Sequence, residues 1–195
     1  MLRCNLALLL AERGLKISKV AKDTGISRTT LTALANSTSQ GVQLETIDKL
    51  CMYLKTDVSS FFVFHPSTVS FILSKENDNT YLFLTIKYNT QIFKVLLEVY
   101  VTPVYINDPS FSKVSSYDIS LFISNSYSET AAKFSKDDEW EVGNEWFERH
   151  YYPKLPIIFR TDLENKIKNS IIKEFNIPDD TETTLHFEFE NDIFS

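Results

Sequence analysis

The sequence predicts an α+β protein of two domains, an all-α N-terminal domain and a sheet-based C-terminal domain. Apolar residues recur with a helical period up to about residue 64, whereas strand-like alternation dominates after His65-Pro66. The net charge also changes sign at this point. Residues 1–65 are basic, with eight Lys/Arg and five Asp/Glu, and residues 66–195 are acidic, with twelve Lys/Arg and twenty-one Asp/Glu. A residue that precedes proline disfavours helix, so we place the boundary there, with domains 1–65 and 66–195.

The first domain is predicted to contain five helices. The leucines from Leu2 to Leu10 follow the helical period, and Gly14 ends that first helix after Glu12. A polar loop occupies residues 36–43. The five predicted helices cover residues 2–12, 18–24, 28–36, 44–55 and 59–64.

The most informative stretch is Ile17–Asn36. Gly25 stands where the chain must turn sharply, which is easiest for a residue without Cβ. Ser27 is a good N-cap for the next helix, and Ile26 and Leu31 have the spacing of a hydrophobic staple. The expected buried contacts of this helix pair are Val20, Ala21, Ile26, Leu31 and Leu34. The second helix is left with a short polar outer face, which the major groove of DNA admits.

This stretch resembles the Cro/CI-type (XRE-like) helix-turn-helix domain of phage repressors and bacterial regulators. Four segments carry the resemblance: AlaLysAspThrGlyIleSer, LeuThrAlaLeuAlaAsn, LeuGluThrIleAspLysLeuCysMetTyrLeu and AspValSerSerPhePhe. The resemblance covers about residues 2–64, a third of the chain. It implies a five-helix, lambda-repressor-like fold that binds double-stranded DNA. Residues 66–195 resemble no family that we recognise.

Placed on this motif, Arg28 is the expected main base reader, since arginine pairs bidentately with guanine. The expected base contacts are Arg28, Thr29, Thr30 and Ala33. The expected phosphate contacts flank the recognition helix: Lys16, Ser18, Lys19, Ser27, Asn36, Ser37, Ser39 and Gln40. Two alternatives stay open, namely that Arg28 contacts phosphate and that the loop after the helix is only a solvated connection.

The second domain is predicted to be an antiparallel sheet with helices packed on one face. The predicted strands cover residues 67–75, 80–88, 91–105, 114–123 and 183–190. The predicted helices cover residues 137–152 and 162–175. We expect Pro103 to interrupt the third strand, because proline cannot donate to the ladder of hydrogen bonds. The helix of residues 162–175 repeats an apolar residue every four positions.

Several catalytic sites are disfavoured by the sequence. The chain has four glycines and no glycine-rich loop that could cradle a phosphate. It also lacks the Ala-Gly or Cys-Gly bond that self-cleaving repressors of the LexA type cut. Cys4 and Cys51 are interpreted as small buried apolar residues on helices of the first domain. We therefore expect no enzymatic activity, no cofactor and no metal site.

Three patterns in the second domain allow two interpretations each. The acidic residues Glu141, Glu145 and Glu148 are either a metal site or, as we favour, a solvated helix face opposite Trp140 and Phe147. The stretch His150-Tyr151-Tyr152 is either catalytic or a helix end packed on the sheet, which is the favoured interpretation. The aromatic side chains of Tyr81, Phe83, Phe93 and Tyr100 either stack on bases or, as favoured, form ordinary core or interface.

Together these features predict a sequence-specific DNA-binding transcriptional regulator, a repressor of phage or mobile-element type. It would act in the cytoplasm as a dimer on an inverted-repeat operator, joined through residues 66–195. A rival is a monomeric second domain that binds a small molecule or another protein. A second class of function is an anti-CRISPR-like inhibitor, whose acidic domain binds a host nuclease while the first domain represses its own promoter. No run of 18 apolar residues supports a membrane span.

Overall fold

The computed structural model describes residues 1–108, 111–123 and 137–189. The chain divides into two compact units, Met1–His65 and Pro66–Ser195. We call the first unit the head and the second unit the body. Each has its own core of buried apolar side chains.

The head contains five short helices. They are α1 (Leu6–Glu12), α2 (Ile17–Thr24), α3 (Arg28–Ala35), α4 (Leu44–Leu54) and α5 (Val58–Phe61). Each helix contributes to one core, with Leu6, Val20, Leu31, Leu50 and Phe61 fully buried in it. Five amphipathic helices shorter than four turns are stable because this shared core buries their apolar faces.

The ends of the head differ from the prediction. Residues Leu2–Cys4 form strand β1 and Phe62–Phe64 form β2, and the two strands pair antiparallel. The predicted helices of residues 2–12 and 59–64 are therefore wrong at those ends. The cause is long-range pairing, because each of these segments is too short to show a strand pattern by itself.

The body is built on a five-stranded sheet in the order β3-β4-β5-β6-β7. The strands are β3 (Ser67–Glu76), β4 (Asn79–Tyr88), β5 (Gln91–Asp108), β6 (Phe111–Ile123) and β7 (Glu182–Glu188). The pairs from β3 to β6 are antiparallel, as predicted, but β7 pairs parallel with β6. The prediction of an antiparallel sheet is wrong for this last pair. The helices between β6 and β7 return the chain to the end of the sheet where β6 begins, so the two strands run in the same direction.

Pro103 does not interrupt β5. It pairs with Tyr117 of β6, and the register shifts only between Val104 and Tyr105. The pairing of β5 with β4 ends at Val99. Beyond that residue no described strand pairs with that edge of β5, so proline is compatible with the strand.

Two helices accompany the sheet. Helix α6 (Asp137–Trp146) continues into a π-turn at Phe147–Tyr151 and a 3-10 turn at Tyr152–Lys154, in place of the single predicted helix. Helix α7 (Ile157–Glu174) begins five residues before the predicted start at residue 162.

The helices do not all lie on one face of the sheet. Helix α7 buries Phe159, Leu163, Ile167 and Ile171. A salt bridge of 3.2 Å from Lys75 to Glu174 ties it to β3. Helix α6 lies beside β5, where Leu96 N donates to Asn144 Oδ1 at 2.9 Å. A Cβ on Gly143 would lie 1.8 Å from the backbone oxygen of Lys94, so only glycine allows this approach.

Candidate nucleic-acid interface

The turn between α2 and α3 has the predicted chemistry. Gly25 is the C-cap of α2 with φ +73°, a left-handed conformation that favours glycine, and its N–H donates to Ala21 O at 3.0 Å. Ser27 is the N-cap of α3, and its Oγ accepts from Thr30 N at 3.0 Å. Both predictions are confirmed. These caps set the direction in which α3 leaves the turn.

Helix α3 separates a buried side from an exposed side. Leu31 and Leu34 enter the core of the head, whereas Arg28 and Thr29 are exposed at the start of the helix. Thr30 is also exposed, but its Oγ1 lies 2.8 Å from Ser27 Oγ and shares a hydrogen bond with it. Three of the predicted base-contact residues, Arg28, Thr29 and Thr30, are thus exposed together at the N-terminal end of α3.

Ala33, the fourth predicted base contact, is half-buried. Its backbone oxygen accepts from the N–H groups of Thr38 and Ser39 as the chain leaves α3. Its methyl group is therefore less accessible than the side chains of Arg28 and Thr29. Of the predicted base contacts, Arg28 offers the longest exposed side chain.

The loop after α3 is partly held by the head itself. Ser37 has a φ of +53°, and its Oγ accepts from Cys4 N at 3.3 Å. Ser39 Oγ donates to Gly41 O at 2.5 Å. Asn36 and Gln40 are exposed. Because Cys4 lies on β1, the strand that helical periodicity missed also positions this loop.

The start of α2 exposes the other predicted phosphate contacts. Lys16 and Ser18 are exposed, while Lys19 Nζ lies 3.0 Å from Asp23 Oδ2 in a salt bridge. Tyr53 of α4 donates its OH to the same Asp23 oxygen at 2.6 Å. Lys19, Asp23 and Tyr53 form what we call the α2 charge network. It holds the side chain of Lys19 along α2, one helical turn before Asp23.

The pKa values of this network follow from its hydrogen bonds. The hydrogen bond from Tyr53, and then the one from Lys19, lower the pKa of Asp23. The same carboxylate raises the pKa of Lys19 through a hydrogen bond and its charge. Lys19 is therefore a firmly charged cation, although Asp23 offsets part of its field.

Asp23 and Tyr53 were missed at the sequence level. The spacing of Lys19 and Asp23, four residues apart on a helix, is a signal that could have found the first pair. The contact with Tyr53 joins α2 to α4 and depends on how the two helices cross. No local pattern shows it.

Of the acidic residues of the body, Glu141 and Glu145 are exposed, as expected for a solvated helix face. Trp140 and Phe147 are buried, and Glu145 forms a 2.7 Å salt bridge with Arg149. Glu148 Oε1 is buried with no hydrogen-bond partner among the residues that the structure describes. Among residues 1–108, 111–123 and 137–189, no group of three His, Cys, Asp or Glu side chains could hold a metal ion.

The tyrosine pair of the predicted helix end has structural contacts. Tyr151 is buried, its OH lies 2.8 Å from Ser67 Oγ, and burial raises the pKa of its phenol. Tyr152 donates to Glu164 Oε1 at 2.6 Å, and its pKa is raised by burial and then by that carboxylate. Both therefore remain neutral phenols that join the turn after α6 to β3 and α7. Packing of the helix end on the sheet is the interpretation that these contacts favour.

The aromatic residues of the sheet divide between core and surface. Tyr81 and Phe83 are buried with Trp140 in one cluster. Phe93 stacks on Trp146 with ring centroids 3.7 Å apart. Tyr100 is exposed. Tyr81, Phe83 and Phe93 therefore agree with the favoured interpretation as core or interface, the first two because they are buried and Phe93 because it stacks on Trp146.

The cysteines are free thiols. Cys4 is buried, but it lies on β1 and not on a helix as predicted. Cys51 is half-buried on α4. Burial raises the pKa of both thiols, so they behave as small apolar residues.

Comparison with known proteins agrees with this geometry in the head. Residues 5–67 match the family model of the Cro/C1-type HTH DNA-binding domain. The remainder of the chain has no family match. No curated protein and no solved structure matches the chain. The head thus carries a DNA-binding domain of this type, which supports a sequence-specific DNA-binding regulator.

None of the helices in the described part of the chain is both long enough and apolar enough to cross a membrane.

Proposed function

We propose that the protein is a transcriptional repressor of phage or mobile-element type that binds an inverted-repeat operator as a dimer. The family match over residues 5–67 carries the proposal, because it coincides with a capped turn and an exposed polar side of α3. Residues 1–65 form the DNA-binding domain, and residues 66–195 join two copies. The match concerns the head only, so it lends nothing to the inhibitor alternative.

In this proposal α3 enters the major groove and Arg28 reads a guanine. Arg28 is the first residue of α3 and is exposed, so its guanidinium can reach a base edge. Thr29, Thr30 and Ala33 line the same helix and contact neighbouring bases through methyl or hydroxyl groups.

Phosphate contacts position the head on the duplex. Lys16, Ser18 and Lys19 approach one phosphate at the start of α2, whose free N–H groups favour an anion. Asn36, Ser37, Ser39 and Gln40 approach another phosphate from the loop, and Ser27 supports the start of α3. These contacts set affinity and leave sequence discrimination to Arg28.

Selection of bound duplexes from a random pool tests the proposal. We expect an inverted repeat whose half-sites contain a guanine. Arg28→Ala should lose about 1–3 kcal/mol on that operator and little on random DNA, the cost of a bidentate pair.

Arg28→Lys separates base reading from phosphate contact. Lysine keeps the charge but loses the bidentate geometry, so discrimination should fall while affinity for random DNA is kept. The control for Arg28→Ala is Arg149→Ala, which removes one positive charge from the body. Equal losses on operator and random DNA for Arg28→Ala would assign Arg28 to phosphate, and a pool without a selected sequence would contradict the function.

A further inference from the structure

The sheet of the body has one face that α7 does not cover. Along each strand alternate side chains point to opposite faces. The set that includes Leu82, Leu84 and Val95 is fully buried, whereas the opposite set is accessible except at Tyr81, Phe83 and Leu96, which are buried in a cluster with Trp140. We call that accessible side the open face. Its outward residues include Ile72, Lys87, Ile92, Glu98, Tyr100 and Phe122.

The open face exposes large apolar side chains in several strands. Ile72 is 46% exposed, Tyr100 48% and Phe122 36%, although Trp140 covers the row of Phe83 and Leu96 beside them. A sheet face with large apolar side chains in three strands is typical of a protein interaction site.

Tyr100 and Phe122 make an ordered aromatic pair on this face. Their ring centroids are 5.4 Å apart with an interplanar angle of 89°, and Tyr100 OH donates to Glu98 Oε2 at 2.8 Å. An aromatic side chain that is already held in place loses little entropy on binding, and tyrosine is enriched among the residues that dominate interfaces.

The charges of the open face are separated along the strands. Lys87 lies toward the β4–β5 turn, where it is paired with Ile92, whereas the nearby Lys94 is held in a 3.1 Å salt bridge with Glu139 of α6. Glu98 and Glu188 lie farther along the sheet, both in register with Phe122. The face therefore has a basic end and an acidic end with apolar residues between them.

We propose that a second copy of this chain packs on the open face, related by a two-fold axis that runs across the strands. Such an axis places the basic end of each copy over the acidic end of the other. The basic end and the acidic end lie on the same surface, so two identical chains can form both charge contacts at once. The inference names the dimer contact of the proposed function and rests on it.

The size of the face predicts a weak dimer. Five strands about 4.8 Å apart, over about nine residues of 3.3 Å, span roughly 700 Å², and the part under Trp140 is not available to a partner. A standard interface buries about 800 Å² per partner, and smaller ones are transient. We therefore expect a dimer that forms in the micromolar range and is stabilised when two heads bind one operator.

Sedimentation of the full-length chain across the micromolar range tests the contact. We expect a concentration-dependent dimer, and Ile72→Asp should raise its Kd at least about tenfold, because it buries a charge without a partner. The matched control is Ile157→Asp at the exposed start of α7, which should leave Kd unchanged. Circular dichroism checks that both variants are folded.

A charge exchange tests the two-fold arrangement. Lys87→Glu and Glu98→Lys should each raise Kd about tenfold through like-charge repulsion, and the double variant should recover to within about threefold. A fold defect would not be repaired by the second change.

Three results would overturn the inference: a wild-type chain that stays monomeric, equal weakening by Ile72→Asp and Ile157→Asp, or no recovery in the double variant. The selection of DNA sequences is independent of all three. A monomer that still selects a half-site would refute this contact and the dimer of the proposed function but not sequence-specific DNA binding, whereas a dimer that selects no sequence would refute DNA recognition and leave the contact standing.

Discussion

The head and the body bury their apolar residues in different ways. The head gathers one core from five short helices, and most of its turns are set by residues a few positions apart. The body depends on strands that pair across long stretches of chain, such as Ser116 of β6 with Glu182 of β7. The head is therefore recognisable from a local motif, whereas the architecture of the body emerges only when distant segments meet.

The two regions also use their surfaces differently. The head exposes a compact polar side on α3, next to a turn whose geometry needs Gly25. The body exposes large apolar side chains on part of one sheet face, around the region that Trp140 covers. In our proposals the polar side of α3 contacts DNA and the apolar part of the sheet face contacts a second copy of the chain.

The largest expected effect is a loss of stability in the head that leaves the stability of the body unchanged. Leu31 is fully buried in the head, so Leu31→Ala should cost about 2–5 kcal/mol through lost contacts and a cavity. A domain of this size has a small margin of stability, so DNA binding should be lost. Both tryptophans lie in the body, and their fluorescence transition should be unchanged if the cores are independent.

Leu44→Ala is the control for this experiment, since Leu44 is 87% exposed on α4. Its stability should change by less than about 0.5 kcal/mol. A matching loss of the tryptophan transition in Leu31→Ala would show that head and body unfold as one unit.

The second effect addresses the body. Gly143→Ala should destabilise it by about 3 kcal/mol, because the new methyl group would overlap the backbone of Lys94 and force α6 away from β5. Thermal unfolding followed by tryptophan fluorescence measures the change. Gly41→Ala in the head is the matched glycine control, since a Cβ there meets nothing within 4 Å. An unchanged Tm for Gly143→Ala would contradict the close packing of α6.

The third effect depends on pH. Burial raises the pKa of Tyr151 above the ordinary 10.0, so the folded body disfavours the ionised phenol. Its contribution to stability is complete below that ordinary pKa and is lost as the pH rises through the folded value. The urea midpoint followed by tryptophan fluorescence should therefore fall in alkaline buffer.

Tyr151→Phe should reduce this alkaline loss, whereas Tyr105→Phe, at an exposed position, should not. The head lacks a comparably buried tyrosine, since its only one, Tyr53, is partly exposed on α4. An identical alkaline profile in Tyr151→Phe and wild type would remove Tyr151 as the cause.

The smallest effect concerns the α2 charge network. Lys19→Ala should lower the salt dependence of DNA binding by about one unit of slope, equally on operator and random duplexes. Asp23→Asn should raise the affinity for both duplexes, because it removes a negative charge beside Lys19. Binding titrations at several salt concentrations measure both.

Lys166→Ala on the exposed side of α7 makes the same charge change on the body and serves as the control. A slope that stays the same in Lys19→Ala would remove Lys19 from the phosphate contacts. A slope that changes equally in both variants would assign the effect to total charge.

Local chemistry determined much of the head from the sequence alone. Gly25 and Ser27 act within a few residues of themselves, so their roles as C-cap and N-cap were predictable. The amphipathic periods of α2, α3 and α4 located the helices within about two residues. The strand alternation of β4 and β6 was equally readable, because a sheet half covered by helices leaves that signature.

Only tertiary structure decided the remaining features, because each depends on a contact between distant residues. Leu2–Cys4 became a strand when it met Phe62–Phe64, although its leucines fit a helix. Asp23 of α2 contacts Tyr53 of α4, thirty residues away. The parallel pairing of β7 and the open face depend on where α6 and α7 pack. Local sequence encodes turns and periods, but the partner of a strand edge or a sheet face is chosen by the free energy of the whole fold.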